Sequence, residues 1–320
     1  MKIFRLILFV TIIAAVLSAA IWFYFLRNTT ETSKERENFE ISQKSYANIL
    51  FAGDMMFDRG IRYFSESSGN DFIFREISQK LSENDLVVAN LEGSITNNKS
   101  ISIKTIPGET NNYFFTFDPS FAKTIFENNI RIVDLGNNHI LNFGYNGLSE
   151  TEKYLDSNHV GYFNSPKGPK SVSTQINGIR ITFVGYNEFS LLPEGVEKLA
   201  VINEIEKAKG FSDVIIVYCH WGAEYIQKPS EIQKKMAHEF IDNGADLVIG
   251  THSHVIGENE IYKSRRIYYS LGNFVFDQYF NEDVRNGLGV EVKIDKQTKQ
   301  MTFEEVKFYL NKNGQTILKQ

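Results

Sequence analysis

Cysteine is almost missing from this chain: Cys219 is the single one in 320 residues. No intrachain disulfide can form, and no cysteine-based zinc cluster. Nor is there an excess of basic charge. Lys and Arg number 34 against 39 Asp and Glu, a net charge of −5, so no nucleic-acid-binding face is expected. Internal repeats and low-complexity stretches are lacking, and with 42% apolar and 23% charged residues the composition excludes a disordered chain, a collagen and a multi-span membrane protein. Histidine is limited to six residues. Any metal site must therefore be built from these together with carboxylates or amides.

A single long apolar run is present. Leu6 to Leu26 carries no charge over 21 residues, and a helix of that length spans about 31 Å, the thickness of a bilayer core. Lys2 and Arg5 precede it, and Trp22, Phe23 and Tyr24 stand near its far end, where an aromatic belt belongs. The segment reads as an uncleaved single-pass anchor at 1–27. A cleaved signal peptide is the competing reading, given Ser18-Ala19-Ala20. The charge distribution places the amino terminus inside and the rest of the chain outside the cytoplasm, at the cell membrane. Residues 28–46 are polar and read as a linker. Residues 47–320 form the expected domain.

Within that domain short apolar runs recur at Ile49–Ala52, Leu86–Ala89, Ile132–Leu135, Ile181–Val184, Val214–Val217 and Leu247–Ile249. Each is rich in β-branched residues and reads as a strand buried on both faces. A helix is expected from Glu231 to Asn243, with Ser230 and Gln233 as a capping box, an Ile232/Met236/Phe240 stripe and Gly244 as terminator. His238 lies off that stripe and is expected to face solvent. Beyond Glu260 four successive antiparallel strands are expected, near 261–263, 267–271, 288–294 and 301–309. The reading is α/β, with two sheets packed together.

The chemistry-bearing residues follow the buried runs: Asp54, Asn90 to Gly93, Asn137-Asn138-His139, His220, and Thr251-His252-Ser253-His254. Sites in open α/β sheets lie beyond the carboxyl ends of the strands. Imidazole with carboxylate and amide oxygen suits Mn, Zn, Fe or Ni, and such a set can hold a two-metal hydrolytic site. Strand periodicity would set His252 and His254 on one face; a turn would aim them at adjacent metals.

These residues resemble the calcineurin-like metallophosphoesterase superfamily. The runs NLEG (90–93), NNHILNFG (137–144), HWGAEY (220–225), GADLVIGTHSHV (244–255) and YYSLGNFVFD (268–277) resemble its CapA branch, named for bacterial poly-γ-glutamate capsule synthesis. The likeness extends over about residues 48 to 280. It implies a four-layer αββα sandwich and one or two divalent ions (Mn, Zn or Fe). It implies Asp54, Glu92, Asn138, His220, His252 and His254 as ligands, with Glu92 where the superfamily has its bridging carboxylate, and His139 as the catalytic histidine that protonates the leaving oxygen. Two departures stand out: Met56 occupies the place of a ligand histidine, and the bridging position holds Glu rather than Asp. The branch often has Asp where this chain has Asn142.

Arg59 is a candidate for pairing with a substrate phosphate or carboxylate, and Glu224 and Asn273 for orienting the substrate. Cys219 reads as core and Trp221 as core or pocket wall; His159 reads as a histidine at a helix carboxyl end. The resemblance together with the anchor implies a membrane-anchored capsule-synthesis protein acting on an anionic polymer or a phosphoester, and the anchor makes other membrane-bound synthesis proteins the expected partners. A general surface phosphatase or phosphodiesterase and a non-catalytic polymer-binding scaffold are the alternatives.

Overall fold

The computed structural model describes residues 44–319. The anchor expected at 1–27 and all but the end of the linker lie outside the described residues. Among the described residues no helix is long and apolar enough to cross a membrane.

Among the described residues the strands are β1 (Tyr46–Met55), β2 (Leu86–Leu91), β3 (Ser94–Ile95), β4 (Thr116–Phe117), β5 (Ile130–Asp134), β6 (Gly161–Phe163), β7 (Ser171–Ile176), β8 (Ile179–Asn187), β9 (Val214–His220), β10 (Leu247–Thr251), β11 (Asn259–Tyr262), β12 (Arg265–Tyr268), β13 (Asn273–Val275), β14 (Asn286–Asp295), β15 (Met301–Leu310) and β16 (Thr316–Leu318). The α-helices are α1 (Arg59–Ser68), α2 (Ser78–Ser82), α3 (Ser120–Glu127), α4 (Gly144–Ser157), α5 (Glu194–Ala208) and α6 (Glu231–Asp242). All six apolar runs become strands.

Two sheets result. The first has the order β16-β15-β14-β1-β2-β5-β6, with β13 pairing the end of β1; the second has the order β11-β12-β10-β9-β8-β7. In the middle of each the strands are parallel: β1-β2-β5-β6 and β8-β9-β10-β12. Side chains alternate across a strand, and this sorts neighbours into three apolar layers. Phe51, Val88, Phe183 and Ile216 pack between the sheets. Leu50 and Val87 face outward against Ile61 of α1, Phe121 of α3 and Leu148 of α4. Val184 and Val217 face the other way, against Val201 of α5 and Phe240 of α6. The stack is helix, sheet, sheet, helix. Strands buried on both faces need unbroken apolar sequence, and that is why the runs were legible.

The capping box of α6 is present, with Ser230 Oγ accepting from Gln233 N at 3.2 Å and Gln233 Oε1 accepting from Ser230 N at 2.9 Å. Cys219 and Trp221 are both core, the indole N–H donating to Tyr269 O at 3.0 Å. His159 follows α4 in a left-handed conformation. His238 departs from expectation: it stacks on Tyr262 with ring centroids 3.8 Å apart and bonds Glu260, so it is half-buried. The four carboxyl-terminal strands also depart from a single antiparallel series. β11 and β12 form a hairpin in the second sheet, with β12 parallel to β10, whereas β14 and β15 pair in the first. Local alternation marks a strand without saying which sheet receives it.

Candidate metal centre

The carboxyl ends of β1, β2, β5, β9 and β10 meet at one edge of the stack. Two bonds fix the sheets there: Tyr218 Oη donates to Ala52 O at 2.6 Å, and His252 N donates to Asp54 Oδ2 at 3.1 Å. Gly53 is required at the end of β1. A Cβ there would stand 1.8 Å from Gly272 O, the carbonyl that accepts the Asp54 N–H at 3.0 Å.

The six candidate ligands fall into two groups. Asp54, Glu92 and His254 are buried and place one donor atom each within 4.8 Å of one another. His254 Nδ1 is 3.4 Å from Asp54 Oδ2, and His254 Nε2 is 3.6 Å from Glu92 Oε1. In the second group His220 Nε2 lies 3.0 Å from His252 Nδ1 and 2.9 Å from Asn138 Oδ1. Asp54 spans the two groups, its Oδ1 standing 3.9 Å from His220 Nδ1. Glu92 lies toward His254 and His139.

The turn after β10 explains the divergence of the two histidines. His252 and His254 have φ of 91° and 58°, a left-handed backbone that non-glycine residues adopt at a cost. The strand therefore stops at Thr251, and the rings point to different groups rather than to one face.

The electrostatics suit a cation. Burial alone would discharge His254, but Glu92 and Asp54 outweigh it and push its pKa up to about 9. Burial also raises Glu92 well above the usual carboxylate range, with the neighbouring Asp54 adding to the rise. In the other group burial and the neighbouring imidazoles drive His220 far down and His252 to about 3. One group thus holds a positive charge in a dry site, and the other holds neutral nitrogen donors. Glu92 Oε1 is buried without a hydrogen-bond partner. A bare carboxylate oxygen is costly unless a cation or donor meets it. This orphan atom, beside imidazole and a second carboxylate, fits a divalent transition ion.

His139 is held on its far side. Nδ1 lies 3.0 Å from Tyr113 O and 3.1 Å from Asn142 Oδ1, both acceptors, the latter fixed by the Phe115 N–H at 2.9 Å. Nδ1 therefore carries the hydrogen, and Nε2 faces Glu92 Oε1 at 3.8 Å as a bare lone pair. Burial lowers its pKa to about 4.

The remaining candidates are placed differently. Arg59 bonds Asp277 and donates to Asn112 Oδ1 at 2.9 Å, with its guanidinium carbon 4.9 Å from the centre of the Phe115 ring and 13% of its side chain exposed. Both terminal nitrogens of its fork are engaged within the protein, while Nε is buried without a partner. Asn273 is wholly buried behind His254: its Oδ1 lies 2.9 Å from His254 Nδ1, and its Nδ2 donates to Val284 O at 2.9 Å and Gln278 Oε1 at 3.0 Å. Its amide is thus engaged with His254 and the loop behind it. Glu224 is exposed at the rim. Met56 sits in the apolar layer, its sulfur near Asp58 N, so the first strand contributes Asp54 alone. Asp58, not Asp54, caps α1.

One central residue stood among the strand-end residues of the sequence without a role assigned to it. Asn90 Nδ2 donates to Asp54 Oδ1 at 2.8 Å and lies 3.3 Å from His220 Nδ1, while its Oδ1 accepts from Asn137 Nδ2 at 3.0 Å. Its signal was an amide in an otherwise apolar strand, two residues before Glu92 and so on the same face.

Residues 48–278 match the family model described as "Bacterial capsule synthesis protein PGA_cap". The chain belongs to this family. It is 28% identical over 332 aligned residues to the capsule biosynthesis protein CapA of Bacillus anthracis, covering 96% of this chain and 72% of that one. It is 31% identical to the PGA biosynthesis protein CapA of Bacillus subtilis, covering 71% of this chain and 63% of that one. The crystal structure of a hypothetical protein from Thermus thermophilus shares the fold, with a TM-score of 0.52 at 18% identity, covering 82% of this chain and 99% of that one. The family match begins two residues into β1 and ends just after β13, so it takes in all six candidate ligands.

Proposed function

We propose that this protein is a membrane-anchored capsule-synthesis protein whose domain works outside the cytoplasm on a poly-γ-glutamate product or its precursor, through a metal-dependent phosphoesterase-like site. The observation that carries the reading is the orphaned Glu92 Oε1 inside a fully buried Asp54–Glu92–His254 set. Membership of the capsule-synthesis family supports the biological setting, and the apolar segment at 6–26 supports the anchor and a place beside other membrane-bound synthesis proteins.

Asp54, Glu92 and His254 hold one ion in this reading, and His220, His252 and Asn138 provide for a second. An ion so held supplies Lewis acidity toward an electron-rich substrate oxygen. Asn273 keeps His254 in orientation, and Asn90 keeps Asp54. His139 is neutral at pH 7 and offers Nε2 as acceptor; it returns a proton to a leaving oxygen only after taking one. Burial of Asp54, Glu92, His220, His252 and His254 keeps bulk water from them and strengthens each of these contacts.

The test is paired. A strain lacking the gene should lose capsule or alter polymer length; unchanged capsule removes the biological reading. Purified protein with Mn or Zn should hydrolyse a chromogenic phosphoester, and a rate untouched by His220→Ala and His139→Ala removes the site.

A further inference from the structure

Two hollows adjoin the donor cluster. One, of about 400 Å3, borders Tyr113, Arg59 and Tyr225. The other, of about 420 Å3, starts at Asn138 and at Phe189, whose ring centroid lies 4.3 Å from that of His252. The second hollow has apolar walls: Ile140, Leu141, Phe189, Leu191, Leu192 and Ala200.

Polar side chains also line it, but most of them are engaged within the protein, Asn164 Nδ2 being buried without a partner. Lys170 Nζ donates to Asn164 Oδ1 at 2.7 Å and pairs with Glu197. Glu197 Oε1 accepts the Asn187 N–H at 3.1 Å, and Asn187 Oδ1 accepts the Phe189 N–H at 2.9 Å. Asn137 is bound to Asn90 and to Leu91 O, Ser190 to Leu192, and Asn138 to His220. What the groove leaves for a guest is therefore mainly apolar contact.

Its lip is apolar as well. Leu191 is 76% exposed and Leu192 50% exposed, next to exposed Phe189 and followed by exposed Val196 and Leu199. A single exposed leucine is ordinary, but a run of them at the mouth of a cleft marks a binding surface. Because the groove reaches Asn138, and its wall residue Phe189 packs on His252, its guest lies beside whatever occupies the donor cluster.

We propose that this groove receives the alkyl chain of an amphiphilic phosphoester whose anionic head sits at the donor cluster. The inference rests on the phosphoesterase reading for the head and on the groove for the tail. A small polar phosphoester would leave water against Leu191, Leu192 and Phe189, whereas an alkyl chain removes that surface from water.

The probes are ethylphosphonate and hexylphosphonate, titrated calorimetrically into the full chain held in lipid nanodiscs with its metal, with empty nanodiscs subtracted. Four extra methylenes, at roughly 0.8 kcal/mol each when fully buried, give hexylphosphonate a ~10- to 200-fold tighter Kd. In the double variant Leu191→Ser/Leu192→Ser, both positions being exposed in the fold, the ratio of the two affinities falls to about threefold or less. Equal affinities in the wild type overturn the alkyl-chain proposal while leaving the phosphoesterase reading in place. An undiminished ratio in the double variant overturns the groove as the chain's location and leaves the lip as a surface for another protein. Failure of both phosphonates to bind the metal-loaded protein overturns the phosphoesterase reading, and the proposal with it.

Discussion

The two halves of the donor cluster are built alike, from the ends of parallel strands, yet they carry opposite electrostatics. The Asp54–Glu92–His254 half combines two carboxylates with an imidazole held charged, its pKa near 9. The Asn138–His220–His252 half is neutral, with His252 down at about 3, and its atoms already lie within hydrogen-bond distance of one another. The difference teaches which half needs a cation. In the first, a buried imidazolium stands where positive charge is wanted and one carboxylate oxygen is left bare. In the second, Asn138, His220, His252 and Thr251 satisfy one another, His220 Nδ1 lying 3.1 Å from Thr251 Oγ1. In the proposed reading the first half is the tighter site, and the second fills after it.

The largest effect is expected at the residue shared by both. Asp54→Asn should weaken metal binding by more than about 100-fold, beyond what loss of an outer-shell partner does, read as metal content by elemental analysis. Retention of stoichiometric metal would sink the assignment. The pH dependence comes next. His254 must give up its proton to bind an ion, so affinity should rise about tenfold per pH unit between pH 6 and 8 and level off above about 9. A weakly buffered titration near pH 7 should release protons as an ion binds at this half, from His254 and from Glu92, whose carboxyl pKa burial also raises; release of none would remove His254 as a ligand.

Asn273→Ala should then lower metal affinity by about 10- to 100-fold without touching an ion, because it removes the partner that orients His254. An unchanged affinity would show that His254 needs no such support. Stripping the metal by chelation should lower Tm by about 5–10 °C relative to protein at an ion concentration 100 times Kd, a difference of about 2.7 kcal/mol. The smallest change is expected from His220→Ala. It should abolish the second ion but shift affinity at the first half by less than about threefold; a loss as large as that of Asp54→Asn would mean that the two halves act as one.

Much of this was readable in the chain. The six apolar runs became strands because parallel strands covered on both faces require them, and polar residues at their ends had one edge of the stack to go to. Asn90 was listed without a role because amides in strands look like packing accidents until their partners are known. Arg59 and Asn273 read as substrate contacts from their spacing, which places a residue near a site, and the structure adds the protein partners that each one holds. Asp277 and Asn112 hold the one, and His254 holds the other. The separation of β11–β12 from β14–β15 was equally invisible, since a hairpin is local and the choice of sheet is not.

By itself the sequence determined the chemistry on offer. With Cys219 alone and buried, only imidazole, carboxylate and amide could meet a metal, and the strand-end motifs named nearly all of them. Tertiary structure decided how they divide. The left-handed turn at His252 and His254 sends neighbouring histidines to opposite halves, and the approach of β1 to β10 places Asp54 between them. Burial then settles which imidazole keeps its proton, because desolvation and the field of nearby carboxylates depend on distances that no local pattern contains.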